Sequence, residues 1–450
     1  MFQWFRSGDD KAPLDLAHDE KLALFKKYQW GVIINLILGY SFFYTTRLSL
    51  SVAKKPLIDE GILTKDQLGL MGSGLFFVYA FGKFSNGFLA DYANIRKFMS
   101  FGLLISAMIN IVLGLSENAY LFIILWALNG WFQSMGSAPS CVSIFQWFEV
   151  TRRGTVYSIW AGSHNIGEGI TFVITSVVVS FFGWRAGFIS PGVLSLVMVI
   201  FMYRYLKDRP AVYGLPEPNE MFGLSHHEEP PKKVSFVDQM FVLKSPTVWI
   251  IALSCAMMYV SRYAINSWAI LFLQEVKGYT LIEAGAAMSF YPMAGLVGAV
   301  VAGGMSDKLF KSHRPLTSTI YGVCNVMGMA LLFWGPNNSV NDAVALTIFG
   351  FGIGGLIVFL AGLIAAELMP KSVVGAVKGF IGLFAYIGAS VQEYVSSILI
   401  ESKMIDGAKV YNFEKAIYFW FAAGIISMLL VLCVWNKRPI DFKDVDENQL

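Results

Sequence analysis

Long runs of apolar residues recur along the whole chain and are separated by short polar connections. A helix needs about 20 predominantly apolar residues to cross the hydrocarbon core of a bilayer, and windows of about 19 residues identify about twelve such runs here. They cover approximately residues 28–53, 67–90, 98–116, 119–148, 156–182, 185–206, 247–273, 281–305, 316–334, 343–369, 374–400 and 413–435. Helices satisfy their own backbone hydrogen bonds in lipid. The chain is therefore predicted to be an all-α polytopic membrane protein with twelve transmembrane helices.

The amount and the position of charge support this interpretation. Only 14% of the 450 residues are charged, whereas soluble domains usually carry about 25%. If the twelve segments alternate in direction, the clusters of Lys and Arg fall on one side, which the positive-inside rule assigns to the cytoplasm. Both termini are therefore expected in the cytoplasm, and no cleaved signal peptide is expected.

One long hydrophilic connection divides the segments six from six. It contains six prolines and a run of adjacent histidines and glutamates, a composition typical of a solvated linker. The predicted organisation is listed here in chain order: a cytoplasmic N-terminal segment (1–27), a six-helix half (28–206), a cytoplasmic linker (207–246), a second six-helix half (247–435) and a cytoplasmic tail (436–450).

Matching motifs indicate that the two halves are an internal repeat. Gly87–Asp91 in segment 2 and Gly303–Asp307 in segment 8 have the same spacing between glycine and aspartate and lie at corresponding ends of their segments. A second match joins Ile166-Gly167 in segment 5 to Ile387-Gly388 in segment 11. Two pseudo-symmetric six-helix halves are therefore predicted.

Each half also carries an arginine inside a predicted helix. Tyr44–Ser51 (YTTRLSLS) and Tyr259–Asn266 (YVSRYAIN) are separated by nearly the same offset as the glycine-aspartate motifs, and they place Arg47 and Arg262 at matching positions. An arginine in a spanning helix costs at least roughly 2.5 kcal/mol, so this match favours a shared function in a central anion-binding site. Alternatively, Arg47 extends its side chain to the outer headgroups, whereas Arg262 lies too deep in its segment for this.

Tyrosines accompany both arginines. Tyr44 and Tyr259 each precede an arginine by three residues, and Tyr40 lies one turn earlier, so all three share a helix face with their arginine. Their phenol groups are predicted to donate hydrogen bonds to an oxygen-rich ligand, although ordinary helix packing also explains a tyrosine at such positions.

Two further polar residues have no counterpart in the other half, because Lys83 matches Ala299 and His164 matches Ala385. Lys83 either faces a pocket or pathway or extends to the cytoplasmic face about two turns away. For His164, a role in ligand binding or proton sensing is favoured over that of a hydrogen-bonded core residue.

The connections after segments 2 and 8 carry an aspartate followed by basic residues. In the first half these are Asp91, Arg96 and Lys97, and in the second half Asp307 is followed by Arg314. Such residues either serve only as orientation signals or form charge pairs that hold one conformation and break in another. We predict the second role, a conformational switch.

No motif in the chain indicates catalysis. There is no phosphate-binding lysine loop, no nucleophile elbow and no metal-ligand cluster in the sequence. The chain is therefore predicted not to be an enzyme, to use no cofactor or metal, and to bind no nucleic acid.

The stretch Gly87–Asp91 with Arg96-Lys97 resembles the loop 2-3 motif of the major facilitator superfamily. More specifically, the chain is similar to the organophosphate:phosphate antiporters of that superfamily, which include bacterial transporters of hexose 6-phosphates and of glycerol 3-phosphate. The residues that carry this similarity are Tyr40, Tyr44 and Arg47 and the stretches Tyr79–Phe84, Asn129–Gln133, Arg152–Gly154, Ser163–Asn165, Tyr259–Arg262 and Gly382–Tyr386.

This resemblance implies a function and a site. In that family the positions of Arg47 and Arg262 hold the phosphoryl group, and those of Lys83 and His164 belong to the same site. The implied activity is uptake of a sugar phosphate in exchange for inorganic phosphate by alternating access, in the inner membrane of a bacterium. The stretch Ser137–Pro139 favours hexose 6-phosphate, such as glucose 6-phosphate, and a monomer is expected.

Two alternatives to this function remain. The first is a membrane sensor that binds external sugar phosphate and signals to a histidine kinase, as one branch of the family does. The second is a transporter of glycerol 3-phosphate or of another organic anion.

Overall fold

The computed structural model describes residues 3–224, 245–310, 313–364, 368, 374–405 and 408–435. Half of the predicted linker at 207–246 and all of the predicted tail at 436–450 lie outside the described residues. The chain divides into two compact units, one formed by Met1–Ile62 and Val78–Glu228 and the other by Leu63–Phe77 and Glu229–Leu450.

Helices account for most of the described residues before the linker. They are α1 (His18–Asp59), α2 (Lys65–Tyr92), α3 (Ile95–Gly114), α4 (Ala119–Gln133), α5 (Ser137–Trp147), α6 (Val150–Ala161), α7 (Ser163–Tyr205) and the short α8 (Pro218–Met221). There are also two 3₁₀ turns, Gln3–Phe5 before α1 and Pro210–Tyr213 between α7 and α8. Within the first unit, α7 packs along both α1 and α3.

Six further helices and one hairpin are found among the described residues after the linker. They are α9 (Pro246–Glu275), α10 (Leu281–Leu309), α11 (Arg314–Trp334), α12 (Ser339–Val358), which continues into a π-helical turn (Phe359–Leu363), α13 (Val374–Leu399), β1 (Glu401–Ile405), β2 (Ala408–Asn412) and α14 (Glu414–Leu432). In the second unit, α9 packs along α13 and α14, and α12 packs along α10 and α11.

Each predicted segment corresponds to helical structure, but several helix boundaries differ from the predicted ones. Segment 4 contains two helices, α4 and α5, and segment 5 begins as α6 and continues into α7 after Gly162. The long α7 then covers segments 5 and 6, and its helical geometry is interrupted at Gly183, where φ is 77° and ψ is 173°. Only glycine adopts this conformation readily, so Gly183 permits the turn between two spans.

Eight helices among the described residues are long and apolar enough to cross a membrane. Helices α4 and α5 are not among these eight. They are 15 and 11 residues long, so neither spans a bilayer unless the two act together.

The β-hairpin was not anticipated from the apolar segments. Strands β1 and β2 pair antiparallel, with Glu401 opposite Asn412 and Ile405 opposite Ala408. The sequence between the strands is Asp406-Gly407, the dipeptide that most strongly favours a two-residue hairpin connection. A local signal for the hairpin was therefore present in the sequence.

Gly167 and Gly388, one matched pair of the internal repeat, lie where two helices approach closely. In the first unit, a Cβ atom added at Gly167 of α7 would lie 2.6 Å from the carbonyl oxygen of Ser41 in α1. In the second unit, a Cβ atom added at Gly388 of α13 would lie 2.5 Å from the carbonyl oxygen of Ala256 in α9. Ser41 precedes Tyr44 by three residues and Ala256 precedes Tyr259 by three residues, so the same helix crossing occurs in both units.

A buried aspartate after α7 fixes the N-terminal segment to the start of α3. Asp208 is 2% exposed, and its carboxylate accepts hydrogen bonds from Ser7 Oγ at 2.9 Å, Asn94 Nδ2 at 2.9 Å and the Ile95 backbone N–H at 3.3 Å. Asn94 caps the N-terminus of α3, where the helix dipole favours a negative charge. Phe5 adds edge contacts to the rings of α3.

We expect Gly388→Ala to destabilise the protein. The added methyl group would contact backbone oxygen, and overpacking of this kind costs about 1–3 kcal/mol. The matched control is Gly379→Ala in the same helix, because a Cβ atom there meets nothing within 4 Å. Thermal unfolding of the detergent-solubilised variants measures the difference, and equal melting temperatures for the two variants would contradict the close helix approach.

We expect Asp208→Ala to destabilise the first unit by about 1–3 kcal/mol, because the buried donors lose their common acceptor. The control is Asp10→Ala, which removes only an exposed ion pair of 2.7 Å with Arg209, an interaction that contributes at most about 1 kcal/mol. The readout is protease cleavage before His18 together with thermal unfolding. Cleavage at the wild-type rate in Asp208→Ala would show that the N-terminal segment does not depend on this carboxylate.

Candidate functional site

Arg47 lies within α1 and is surrounded by aromatic rings. Its side chain is 4% exposed, and its guanidinium carbon lies 4.1 Å from the ring centre of Tyr44 and 5.6 Å from that of Tyr79 in α2. A cation above a desolvated ring gains about 2 kcal/mol. The rings therefore help α1 to hold a permanent positive charge in a buried position.

The residue before Arg47 is the centre of a hydrogen-bond network. Gln133 Nε2 donates to Thr46 Oγ1 at 2.8 Å, and the Thr46 carbonyl oxygen accepts from Asn110 Nδ2 at 2.8 Å and from Asn129 Nδ2 at 3.2 Å. These donors come from α3 and α4. They fix the backbone of α1 beside Arg47 and so determine where the guanidinium lies.

Arg262 has a related environment in the second unit. It is 3% exposed, and its Nε donates to the hydroxyl oxygen of Tyr291 in α10 at 3.0 Å. The guanidinium carbon lies 5.8 Å from the ring centre of Tyr259 and 5.3 Å from that of Tyr263. In both units, therefore, the guanidinium lies near the ring of the tyrosine three residues earlier.

A pair of asparagines missed in the sequence analysis supports both arginine-bearing helices. In the second unit, Ser261 Oγ donates to Asn325 Oδ1 at 3.2 Å, and Ser261 is the residue before Arg262. Asn325 and Asn110 are separated by the same offset that relates the arginines, and both are fully buried. A search for polar residues at this offset would have found them from sequence alone.

The structure brings Tyr40, Tyr44 and His164 together in the first unit. The Tyr44 ring centre lies 5.4 Å from that of Tyr40 and 5.7 Å from that of His164. His164 Nδ1 lies 2.5 Å from the carbonyl oxygen of Ala161, and because a carbonyl only accepts, Nδ1 carries a proton. In the neutral ring, Nε2 is then the acceptor.

Lys83 is half-buried on α2. One turn later, Asn86 Nδ2 donates to Ser134 Oγ at 2.7 Å, which fixes this part of α2 against the end of α4. Glu168, one turn after His164 on α7, is fully buried. The first unit therefore contains two further charged residues in its helices, Lys83 and Glu168.

The predicted switch residues have different environments in the two units. In the first, Asp91 is exposed, the Arg96 guanidinium carbon lies 5.3 Å from the ring centre of Tyr203, and Lys97 Nζ donates to the carbonyl oxygen of Trp4 at 3.1 Å. In the second, Asp307 Oδ1 pairs with Arg314 Nη1 at 2.6 Å. The N-terminal segment thus contacts the first connection, which sequence patterns do not indicate.

A cavity of about 260 Å³ lies in the second unit beside the hairpin. Its walls are mainly aromatic and aliphatic and include Phe272, Trp334, Phe413 and Ile417. Arg262 does not line it, so this cavity is distinct from the surroundings of the buried arginine. No group of three or more His, Cys, Asp or Glu suitable for a metal ion occurs among the residues that the structure describes.

Comparison with known proteins identifies the family. The model of the Major Facilitator Superfamily matches residues 36–392. The chain is 33% identical over 430 residues to a probable hexose phosphate transport protein of Chlamydia pneumoniae, covering 91% of this chain and 92% of that protein. It is also 33% identical over 450 residues to the membrane sensor protein UhpC of Salmonella typhimurium, covering 97% and 98% of the two chains.

A solved structure shows the same fold at low identity. The crystal structure of a bacterial homolog of the human lysosomal transporter Spinster, inward-facing and unoccupied, matches with a TM-score of 0.73 at 15% identity, covering 91% of this chain and 96% of that one. These matches confirm the predicted fold, the multi-pass membrane location and the prediction that the chain is not an enzyme. The chain belongs to the major facilitator superfamily and, within it, to the organophosphate:phosphate antiporter family.

Proposed function

We propose that the protein is a secondary active transporter that takes up a hexose 6-phosphate, such as glucose 6-phosphate, in exchange for inorganic phosphate by alternating access. One observation carries this proposal: each unit holds a buried arginine against the ring of the tyrosine three residues earlier. The resemblance to a relative named as a hexose phosphate transport protein supports the choice of substrate.

The chemistry of phosphate matches this pair of residues. A phosphate monoester carries nearly two negative charges at pH 7, and a guanidinium binds phosphate oxygens through two parallel hydrogen bonds. We propose that Arg47 and Arg262 both bind the phosphoryl group. Tyr40, Tyr44 and Tyr259 donate hydrogen bonds to it or to the attached sugar, and Lys83 and His164 contribute further positive charge or hydrogen bonds.

Coupling between the two substrates follows from the cost of buried charge. Arginine stays protonated at all accessible pH values, and a buried cation without an anion is strongly disfavoured. Bringing two such like charges to one ligand is therefore favoured only with phosphate bound. Each conformational cycle then exchanges one organophosphate for one inorganic phosphate.

The remaining assignments extend this proposal. Asp91, Arg96, Lys97 and Asp307 stabilise one conformation through contacts that break in the other. The protein lies in the inner membrane of a bacterium as a monomer, with both termini in the cytoplasm and with two six-helix halves at 28–206 and 247–435.

A second candidate function has a specific observation in its favour. The relative that is 33% identical over 97% of this chain is named as a membrane sensor protein. A sensor uses the same ligand site but signals to a partner, such as a histidine kinase. Catalysed exchange distinguishes the two, because a pure sensor binds glucose 6-phosphate without transporting it.

We expect purified protein in vesicles loaded with inorganic phosphate to accumulate labelled glucose 6-phosphate. Vesicles without internal phosphate should show little uptake, because the return step lacks an anion. Protein-free vesicles are the control. Binding of glucose 6-phosphate without uptake would favour the sensor, and uptake at the exchange rate into phosphate-free vesicles would refute obligatory exchange.

We expect Arg47→Lys and Arg262→Lys each to reduce exchange at least about 30-fold, because lysine keeps the charge but cannot form the paired hydrogen bonds of the planar guanidinium. Arg185→Lys is the control, since Arg185 is exposed and pairs with Glu117. Initial rates of phosphate exchange, normalised to folded protein, provide the measurement. Wild-type rates in either buried variant would exclude that arginine from the site.

A further inference from the structure

Asn266 on α9 is buried with its hydrogen-bonding groups unused. It is 1% exposed, and neither Nδ2 nor Oδ1 has a hydrogen-bond partner among the described residues. Two other buried amides with an unpaired oxygen each keep one hydrogen bond, because Asn129 Nδ2 donates to the Thr46 carbonyl oxygen and Gln392 Nε2 donates to Ser396 Oγ. Burying an amide without hydrogen bonds costs free energy, so the two free groups of Asn266 need an explanation.

The position of Asn266 relates it to the buried arginine. Tyr259, Arg262 and Asn266 are spaced i, i+3 and i+7, which places them on one face of a helix. Residues four apart on a helix have Cβ atoms about 5–6 Å apart, so the amide lies one turn beyond the guanidinium. A ligand whose phosphoryl group contacts Arg262 can therefore place its remaining atoms within reach of Asn266.

The internal repeat adds an independent argument. The same face of α1 carries Tyr44, Arg47 and Ser51, the residues that match these three in the first half. Tyrosine and arginine are identical in the two units, whereas Ser51 is replaced by the longer Asn266. The phosphoryl group is nearly symmetric and suits matched residues. The sugar is not symmetric, so an unmatched residue is suited to recognise it.

We propose that Asn266 is a specificity-determining residue that binds the sugar hydroxyls of the organophosphate. Its Nδ2 donates to a hydroxyl oxygen and its Oδ1 accepts from a hydroxyl hydrogen, a combination that one amide offers to adjacent hydroxyl groups. Inorganic phosphate has no such groups and does not use Asn266. This inference rests on the proposed transport of a hexose 6-phosphate.

The test compares two substrates in the same vesicles. For Asn266→Leu, which keeps the approximate size but removes both hydrogen-bonding atoms, we expect the KM for labelled glucose 6-phosphate to rise about tenfold. Exchange of labelled inorganic phosphate for internal phosphate should stay within about twofold. Asn266→Ser, which replaces the amide with one hydroxyl group, should give an intermediate KM. If the leucine variant does not fold, the KM of the serine variant tests the proposal.

The control is Val260→Ala, a buried change on the same helix that lies about 200° around the axis from Arg262. It should leave the ratio of the two activities unchanged. An equal loss of both activities in the Asn266 variants, or no change in either, would overturn the inference and indicate a packing role or a bound water. Failure of the wild-type protein to exchange either substrate would instead refute the proposed function, and this inference with it.

Discussion

The burial of a guanidinium in each unit is the constraint on which much of this structure depends. Arginine cannot lose its proton in a protein, so a helix that carries Arg47 or Arg262 in a membrane must be built around a fixed charge. Neutral groups meet this requirement in both units: tyrosine rings lie beside the cations, and the hydroxyl of Tyr291 accepts from Arg262. Such contacts position the charge without changing it.

The supporting residues follow the same repeat as the arginines. Asn110 and Asn325 bind the residues that precede the two arginines, and Gly167 and Gly388 let neighbouring helices approach the residues that lie three positions before Tyr44 and Tyr259. The repeated unit is therefore a helix crossing, an anchored backbone and a cation with its tyrosine. The close backbone approach and the buried amides make this arrangement rigid, because neither tolerates a shift without losing contacts.

The sequence predicted the parts of this arrangement that local or periodic patterns encode. Apolar runs identified the spans, and the constant offset between the two halves identified the arginine pair. Features created by packing between distant segments were not predicted. No local pattern indicates the hydrogen bond between Asp208 and Ser7 or the one between Arg262 and Tyr291. The helix breaks within segments 4 and 5 were also not predicted, because a hydropathy window averages over them. The hairpin of β1 and β2 and the asparagine pair had signals in the sequence, but apolar runs do not reveal them.

Departures from the repeat are as informative as the repeat itself. In the proposed mechanism, both units must act on one ligand in two conformations, which favours matched residues for the phosphoryl group common to both substrates. A sugar phosphate differs from inorganic phosphate only in the part that lacks this symmetry. Three polar residues differ from their counterparts in the repeat: Lys83 corresponds to Ala299, His164 to Ala385 and Asn266 to Ser51. These differences give two similar units different chemistry. Selection between organophosphates is therefore expected to change at these unmatched positions, while the paired arginines preserve the exchange itself.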